Sequence, residues 1–453
     1  MENRGACMRP WLGLAGSLAV AGASLLVVRA LSYDAWGWLL WGREIAGRLP
    51  FTTSEYPTWK PLAALVAAPL AALGSAGPLL WLLLARFGAI LSVVLAYRLA
   101  SRAAGRVAGA IAAVSLLLVP DWLFQAGVGG SEPLLTALLL VAVDRHAARK
   151  DPAGFALVLA AALLRPEAWP LLLGSAAVTW RRHPRARPLI AAGALAVPVL
   201  WFGGDYLGSG HPFEGGHLAR LSREAMLLQR GDEPAPLDVL GRAALTLPLA
   251  LLPGIPVAMV EGWRRRDPIV LALGAGGLLW LAEVVCLAAL GYAGVPRFLF
   301  PAAAALAVVG AVGTVSLLRQ AAARPPIRIG LVLALVALAL PSGPRLSHAR
   351  QQVARLEDRG DLEQSLDRLL ARAPGGPLRG SPDLSAEGVA LTPLAWHLDV
   401  LPRSLRGSRM PGLRVAMRDR RWTPFMREVR RRRLRARTIY RDGRVFLIST
   451  ERQ

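Results

Sequence analysis

The chain has 453 residues, 54% of them apolar, with a positive mean hydropathy of +0.42 and a formal charge of +23. Its apolar residues fall in runs of roughly 13 to 23, close to the ~20 that a helix needs to cross ~30 Å of hydrocarbon, which excludes an ordinary soluble domain. The charge is almost wholly arginine, since Lys60 and Lys150 are the only lysines, and it lies between apolar runs without the aromatic interleaving of a nucleic-acid module, so no nucleic acid is expected as partner.

Taken in chain order, spans are expected at 11–30, 79–97, 107–124, 132–146, 153–164, 168–180, 188–204, 242–260, 268–290, 298–318 and 328–341, about eleven in all. The run from Trp11 to Val28 has no convincing cleavage site after it, so it reads as a retained first helix rather than a signal peptide. Arginine clusters precede Trp11 and occupy Arg98 to Arg106, Arg145 to Lys150, Arg181 to Arg187, Arg264 to Arg266 and Arg319 to Arg328. In this scheme every cluster falls on one side, which the positive-inside rule makes cytoplasmic together with the N-terminus. The apolar stretch 61–74 would break that parity as a full span and reads as a re-entrant or surface-lying helix at the outer face. The short pair 153–164 and 168–180 turns back around Arg165, Pro166 and Glu167. Residues 1–341 are thus expected to form an all-α polytopic membrane domain. Residues 342–453 are expected to form a small, basic, extracytoplasmic α/β module, with a polar helix from Leu346 to Ala373 and a hairpin over Tyr440 to Ile448 turning at Asp442-Gly443.

Several polar residues fall at the outer face. Asp34 follows the first span, among Trp36, Trp38 and Trp41. The tryptophans alone describe an aromatic belt, but an acid at that depth suits a polar cavity or a base facing an acceptor hydroxyl. Glu132 opens the fourth span behind Gly129-Gly130-Ser131, either as part of an N-cap with Ser131 or as a site acid. Arg165 and Glu167 stand at the broken turn, in a simple loop or as a buried pair. Arg297, outside a hydrophobic helix, either snorkels or meets a phosphate or carboxylate, and Lys60 has the same two readings. His211, Glu214 and His217 are flanked by glycine and read as a solvated loop rather than a metal site. Cys7 and Cys286 give neither a disulfide nor a metal spacing.

The order of Tyr33-Asp34-Ala35-Trp36, Thr58-Trp59-Lys60-Pro61-Leu62, Gly130-Ser131-Glu132-Pro133-Leu134, Leu164-Arg165-Pro166-Glu167-Ala168-Trp169-Pro170 and Pro296-Arg297-Phe298 resembles the GT-C superfamily of polytopic membrane glycosyltransferases. It is most similar to the bacterial set, actinobacterial members in particular, related to protein mannosyltransferases and lipid A aminoarabinose transferases. The resemblance covers residues 1 to about 320. It implies a polyprenyl-phosphate-sugar donor, transfer, with inversion, to an extracytoplasmic lipid, glycan or protein acceptor, and Asp34 as the catalytic carboxylate, acting as base. It further implies Arg297, Arg165, Glu132, Glu167 and Lys60 as donor-binding residues and Tyr33, Trp36 and Trp59 as an aromatic platform. Many members carry two adjacent acids where this chain has Asp34 alone, with Glu44 and Glu55 further on, so a divalent metal is doubtful and no cofactor is assigned. Anionic membrane lipid is the expected partner of the arginine-rich surfaces. A transporter or lipid flippase would call for ionisable groups near mid-membrane and pseudo-symmetric halves, and a non-catalytic scaffold would place function in the basic tail.

A single cysteine placed in the 380s is expected to react with a membrane-impermeant maleimide on intact cells; protection there would invert the sidedness derived from the arginine clusters.

Overall fold

A computed structural model describes residues 10–55, 57–221, 235–246, 249–292, 294–322, 329, 343–372, 378, 384–386, 390–406, 411–417, 422–443 and 445–452. The first described element is α1 (Pro10–Ser24), which ends before the apolar run does. A guanidinium ends it: Arg86 donates to the carbonyls of Ser24 and Val28, both at 2.6 Å, and to Gly127 at 3.0 Å, so orphan acceptors are satisfied inside the protein. Then come α2 (Tyr33–Ile45), α3 (Pro61–Ala72), α4 (Ala76–Ala104), α5 (Arg106–Leu117), α6 (Trp122–Gly127), α7 (Glu132–Ala147), α8 (Asp151–Leu164), α9 (Trp169–Arg182) and α10 (Arg187–Ser209). The helices α11 (Ala235–Thr246), α12 (Gly254–Arg265), α13 (Pro268–Ala289) and α14 (Phe300–Ala321) follow.

Among the described residues four helical segments are long and apolar enough to cross a membrane: Ala76–Ala104, Pro184–Ser209, Pro268–Ala289 and Pro296–Ala321. A fifth is added if Pro236–Ala244 and Leu249–Arg265 make one broken span. Other expected spans are shorter helices. The 12 residues of α5 and the 14 of α8 rise only ~18 and ~21 Å at ~1.5 Å per residue. The expected span 328–341 lies outside the described residues.

The helix α14 is the centre of the bundle, with every residue from Phe300 to Val315 buried, and α4, α5, α7, α12 and α13 pack around it. Small residues allow this closeness. A Cβ on Gly313 would meet the Gly254 carbonyl oxygen at 1.8 Å, and one on Gly254 would meet that of Gly310 at 2.3 Å, so α12 and α14 touch backbone to backbone.

The arginine-rich turns gather at one end of the bundle. There Asp144 is ringed by Arg98, Arg102 and Arg145. Asp151 takes His146, His183 and Arg182, and Arg319 donates to the Ala104 carbonyl at 2.6 Å. The opposite end carries residues 31–55 and the C-terminal module.

In that module α15 (Gly343–Arg372) precedes β1 (Leu384–Ala386), α16 (Leu391–Leu398), α17 (Pro402–Leu405), β2 (Gly412–Met417), α18 (Trp422–Arg431), β3 (Leu434–Asp442) and β4 (Val445–Arg452). The sheet order is β1-β2-β4-β3, parallel between β1 and β2 and antiparallel elsewhere, with a bulge at Thr438/Tyr440. The polar helix and the hairpin anticipated from sequence are both present, the latter with Asp442 opposite Val445 and Gly443 at φ +51°. One face of β4, through Val445 and Leu447, joins a core with Leu366 and Leu369 of α15. Its other face, through Phe446 and Ile448, packs with Phe425 and Val429 of α18.

The first core is continuous with α2 and α3. Arg43 pairs with Asp399 at 2.9 Å and Glu55 with Arg403 at 3.1 Å, so the module is seated on the 31–55 segment. A Gly313→Ala substitution is expected to lower stability by about 1–3 kcal/mol through overpacking at α12, read as a lower melting temperature in detergent; an unchanged melt would mean that these helices do not touch as described.

Candidate functional site

At the end of the bundle opposite the arginine turns, five helix termini bring charged side chains together. Ser32 caps α2, its hydroxyl accepting from the Ala35 amide at 3.1 Å, which sets Asp34 in the first helical turn where the helix dipole favours a carboxylate. Glu132 is the first residue of α7. Arg165 ends α8 in an extended conformation (φ −150°, ψ 136°), as a residue preceding proline must, and Pro166–Ala168 form a 3-10 turn that starts α9 and carries Glu167. Arg297 sits in a second 3-10 turn, Pro296–Leu299, that leads into α14.

These five side chains form one network. Arg165 grips Glu167 at two points, 2.7 and 3.2 Å, and donates to Glu132 Oε1 at 2.7 Å. Arg297 lies 3.4 Å from the same Glu132 oxygen and donates to Asp34 Oδ2 at 2.9 Å. Both guanidinium groups stand near the Phe298 ring, Arg165 at 3.8 Å. Lys60, the N-cap residue of α3, donates to Ser131 Oγ at 3.1 Å and lies 4.7 Å from the Trp38 ring. Three carboxylates thus stand against three cations. Burial pulls the Lys60 ammonium down to about 8, with Glu132 acting in the opposite sense. Burial alone would raise the Glu167 carboxyl, but Arg165 outweighs it and holds that carboxyl below its usual range.

Exposure divides the network. The side chains of Glu132, Arg165 and Glu167 retain 6% or less of their surface, whereas Asp34 and Arg297 retain 18% and 29%. The buried members form a rigid base, and Asp34 with Arg297 is its open lip. A cation and a carboxylate side by side at such a lip can bind an anion and take up a proton.

The three aromatic candidates lie elsewhere. Trp36 donates its indole N–H to Glu363 of α15 at 3.1 Å and faces Trp396. Trp59 donates to the Leu200 carbonyl at 3.0 Å and packs against Trp41 and Phe51. The Tyr33 hydroxyl meets Arg406 at 3.3 Å. The tryptophans of α2 are buried rather than arrayed as a belt. Neither further acid joins Asp34: Glu44 accepts from the Thr52 amide at 2.9 Å and Glu55 pairs with Arg403. Among the described residues no group of three or more His, Cys, Asp or Glu is placed to hold a metal ion. Two participants escaped the sequence reading. Ser131 serves Lys60 rather than capping α7, and Phe298 stacks the arginines; the latter's adjacency to Arg297 was the available signal.

No family model matches the chain, and no curated protein matches it. The architecture is one shared with solved polytopic membrane proteins. In particular, the chain is similar to ArnT from Cupriavidus metallidurans in the apo state, with a TM-score of 0.58 and 16% identity over 97% of both chains. Against ArnT bound to undecaprenyl phosphate the TM-score is 0.56, with 15% identity over 97% of both chains.

Removing Arg165 as Arg165→Met strands the buried Glu167 and leaves Glu132 with Arg297 alone as ion-pair partner, and is expected to cost about 3–5 kcal/mol. Arg297→Met should cost under half as much, because Glu132 keeps Arg165 at 2.7 Å and Asp34 keeps contact with water. Equal losses in detergent melts would contradict the division into base and lip.

Proposed function

We propose that the chain is a glycosyltransferase that moves a sugar from a polyprenyl-phosphate-linked donor to an acceptor hydroxyl on the extracytoplasmic side, with inversion and with Asp34 as base. The observation that carries this reading is the accessible Asp34–Arg297 pair on a buried ion-pair base. Support comes from the fold shared with ArnT, one structure of which holds undecaprenyl phosphate. In this reading the donor phosphate takes Arg297 from Asp34, with Lys60 and Arg165 behind it, and frees the carboxylate. Asp34 accepts the acceptor's proton as the oxygen attacks the anomeric carbon. The bond from that carbon to the phosphate oxygen breaks with its electron pair going to the phosphate, and Arg297 stabilises the charge that develops there. No step calls for a metal.

The sidedness belongs to the same proposal. The arginine end is cytoplasmic and the C-terminal module, residues 342–453, extracytoplasmic. The short helices that run between the two ends count as crossings of the membrane domain, residues 1–341, toward the eleven expected from sequence. Anionic lipid would then line the arginine end.

Transfer would be assayed with a panel of polyprenyl-phosphate sugars, and binding with undecaprenyl phosphate. Asp34→Asn should lower transfer by about 10²–10⁴-fold, the scale of a lost general base, and leave binding intact. Retained transfer would remove Asp34 from the chemistry. Arg297→Ala should weaken undecaprenyl phosphate binding about tenfold or more, as loss of a charge-assisted contact does, while Arg319→Ala should not.

A further inference from the structure

Between the end of α1 and the start of α2 the backbone is not helical, so its polar groups need partners from elsewhere. Ser32 donates its amide to the Val128 carbonyl at 2.8 Å. Leu31 is held at both polar atoms by α15, 332 and 328 residues away in sequence: its amide donates to Glu363 Oε1 at 3.0 Å, and its carbonyl accepts from Arg359 Nε at 3.0 Å. The same Glu363 oxygen accepts the Trp36 indole N–H at 3.1 Å. Arg359 and Glu363 sit one helical turn apart and face each other at 3.4 Å. Gly360, between them, lets α15 come close: a Cβ there would lie 2.8 Å from Val28 Cγ1. Asp34 lies midway between the two residues that Glu363 anchors, and its own carboxylate is turned to Arg297.

We infer that the C-terminal module is part of the catalytic unit, with Glu363 and Arg359 as positioning residues that fix the first turn of α2 and thereby the reach of Asp34 to Arg297. This inference rests on the reading of Asp34 as base. The carboxylate of Glu363 collects two donors from either side of Asp34. Without it, the Leu31 and Trp36 N–H groups lose their acceptor, and the cheapest repair is a shift of the helix start toward other acceptors. Displacement of a reacting group by about 1 Å is enough to cost up to ~10²-fold in rate. Donor binding, which the proposed mechanism assigns to Arg297, Arg165 and Lys60, involves none of these contacts.

The test uses the full-length protein in detergent, with two measurements on each variant. Hydrogen exchange followed by mass spectrometry reads the amides of 29–36. Steady-state transfer from whichever polyprenyl-phosphate sugar is active in the panel reads kcat and donor KM. Glu363→Ala should speed exchange at 29–36 and lower kcat about 10–100-fold, as misplacement does, with donor KM and undecaprenyl phosphate affinity changed less than twofold. Glu363→Gln, which keeps an acceptor oxygen for both donors, should recover most of both. Gly360→Ala, a smaller perturbation that should leave the fold intact, should reproduce the exchange change and part of the kcat loss if Glu363→Ala does not fold. Asp442→Ala, which removes the Arg368–Asp442 pair elsewhere in the module, should change neither.

Unchanged exchange at 29–36 in both Glu363→Ala and Gly360→Ala would overturn the clamp. Faster exchange with unchanged kcat would reduce the module to a structural cover and overturn the positioning role. Neither result bears on the base itself, which Asp34→Asn tests separately.

Discussion

Arg165 spends its charge on two carboxylates that water cannot reach, and the geometry of the bundle follows from that. Moving each ion out of water costs several kcal/mol even after relaxation, and the cost is recovered only where partners stand at hydrogen-bond distance. Glu132 and Glu167 begin α7 and the turn into α9, while Arg165 ends α8. The three helix ends must therefore arrive at one depth for the network to close. Arg297 adds the start of α14 to the same knot, and Asp34 adds the start of α2. Acids at helix starts and an arginine at a helix end are each favoured by the local dipole, so backbone and side chains agree on the arrangement.

Much of this was legible in the residues. Grouping Asp34, Glu132, Arg165, Glu167 and Arg297 at one end required only apolar runs and the parity of arginine clusters, and the five do meet. Who pairs with whom was not legible, because hydropathy does not say which helices are neighbours. Ser131 looked like a cap and serves Lys60 instead. That Trp36 is bound by Glu363 from a distant helix was not legible either; one glutamate in a stretch dense with charge carries no signal of its own. The span count rested on run length and the parity of the arginine clusters, whereas α1 stops inside its apolar run, where an arginine from α4 takes the Ser24 and Val28 carbonyls.

The C-terminal module shows why a long connecting segment need not be regular to be ordered. Residues 31–55 contain one helix and stretches of irregular backbone, and α15, α16 and α17 supply many of the missing partners. Arg43 meets Asp399, Glu55 meets Arg403, and Leu31 meets both Arg359 and Glu363. The hydrophobic side of the same contact joins the module's core to that of α2 and α3. The sheet, with β1 and β2 parallel and β4 between β2 and β3, stands behind α15 and stiffens it rather than touching the charged cluster.

The equality of three carboxylates and three cations at the cluster sets a rule for traffic through it. A neutral assembly on a buried base tolerates an added charge less well than open water does, and only its lip keeps contact with solvent to spread the field. An incoming anion that takes a cation from a resident carboxylate leaves that carboxylate's charge to be met by solvent or by a proton. Glu132 and Glu167 are held by Arg165, so Asp34, at the exposed lip, is the carboxylate that an anion could displace from its cation. If Asp34 acts as the proposed base, an anion arriving at Arg297 would leave it facing solvent and the acceptor, and departure of the anion should restore the Asp34–Arg297 contact.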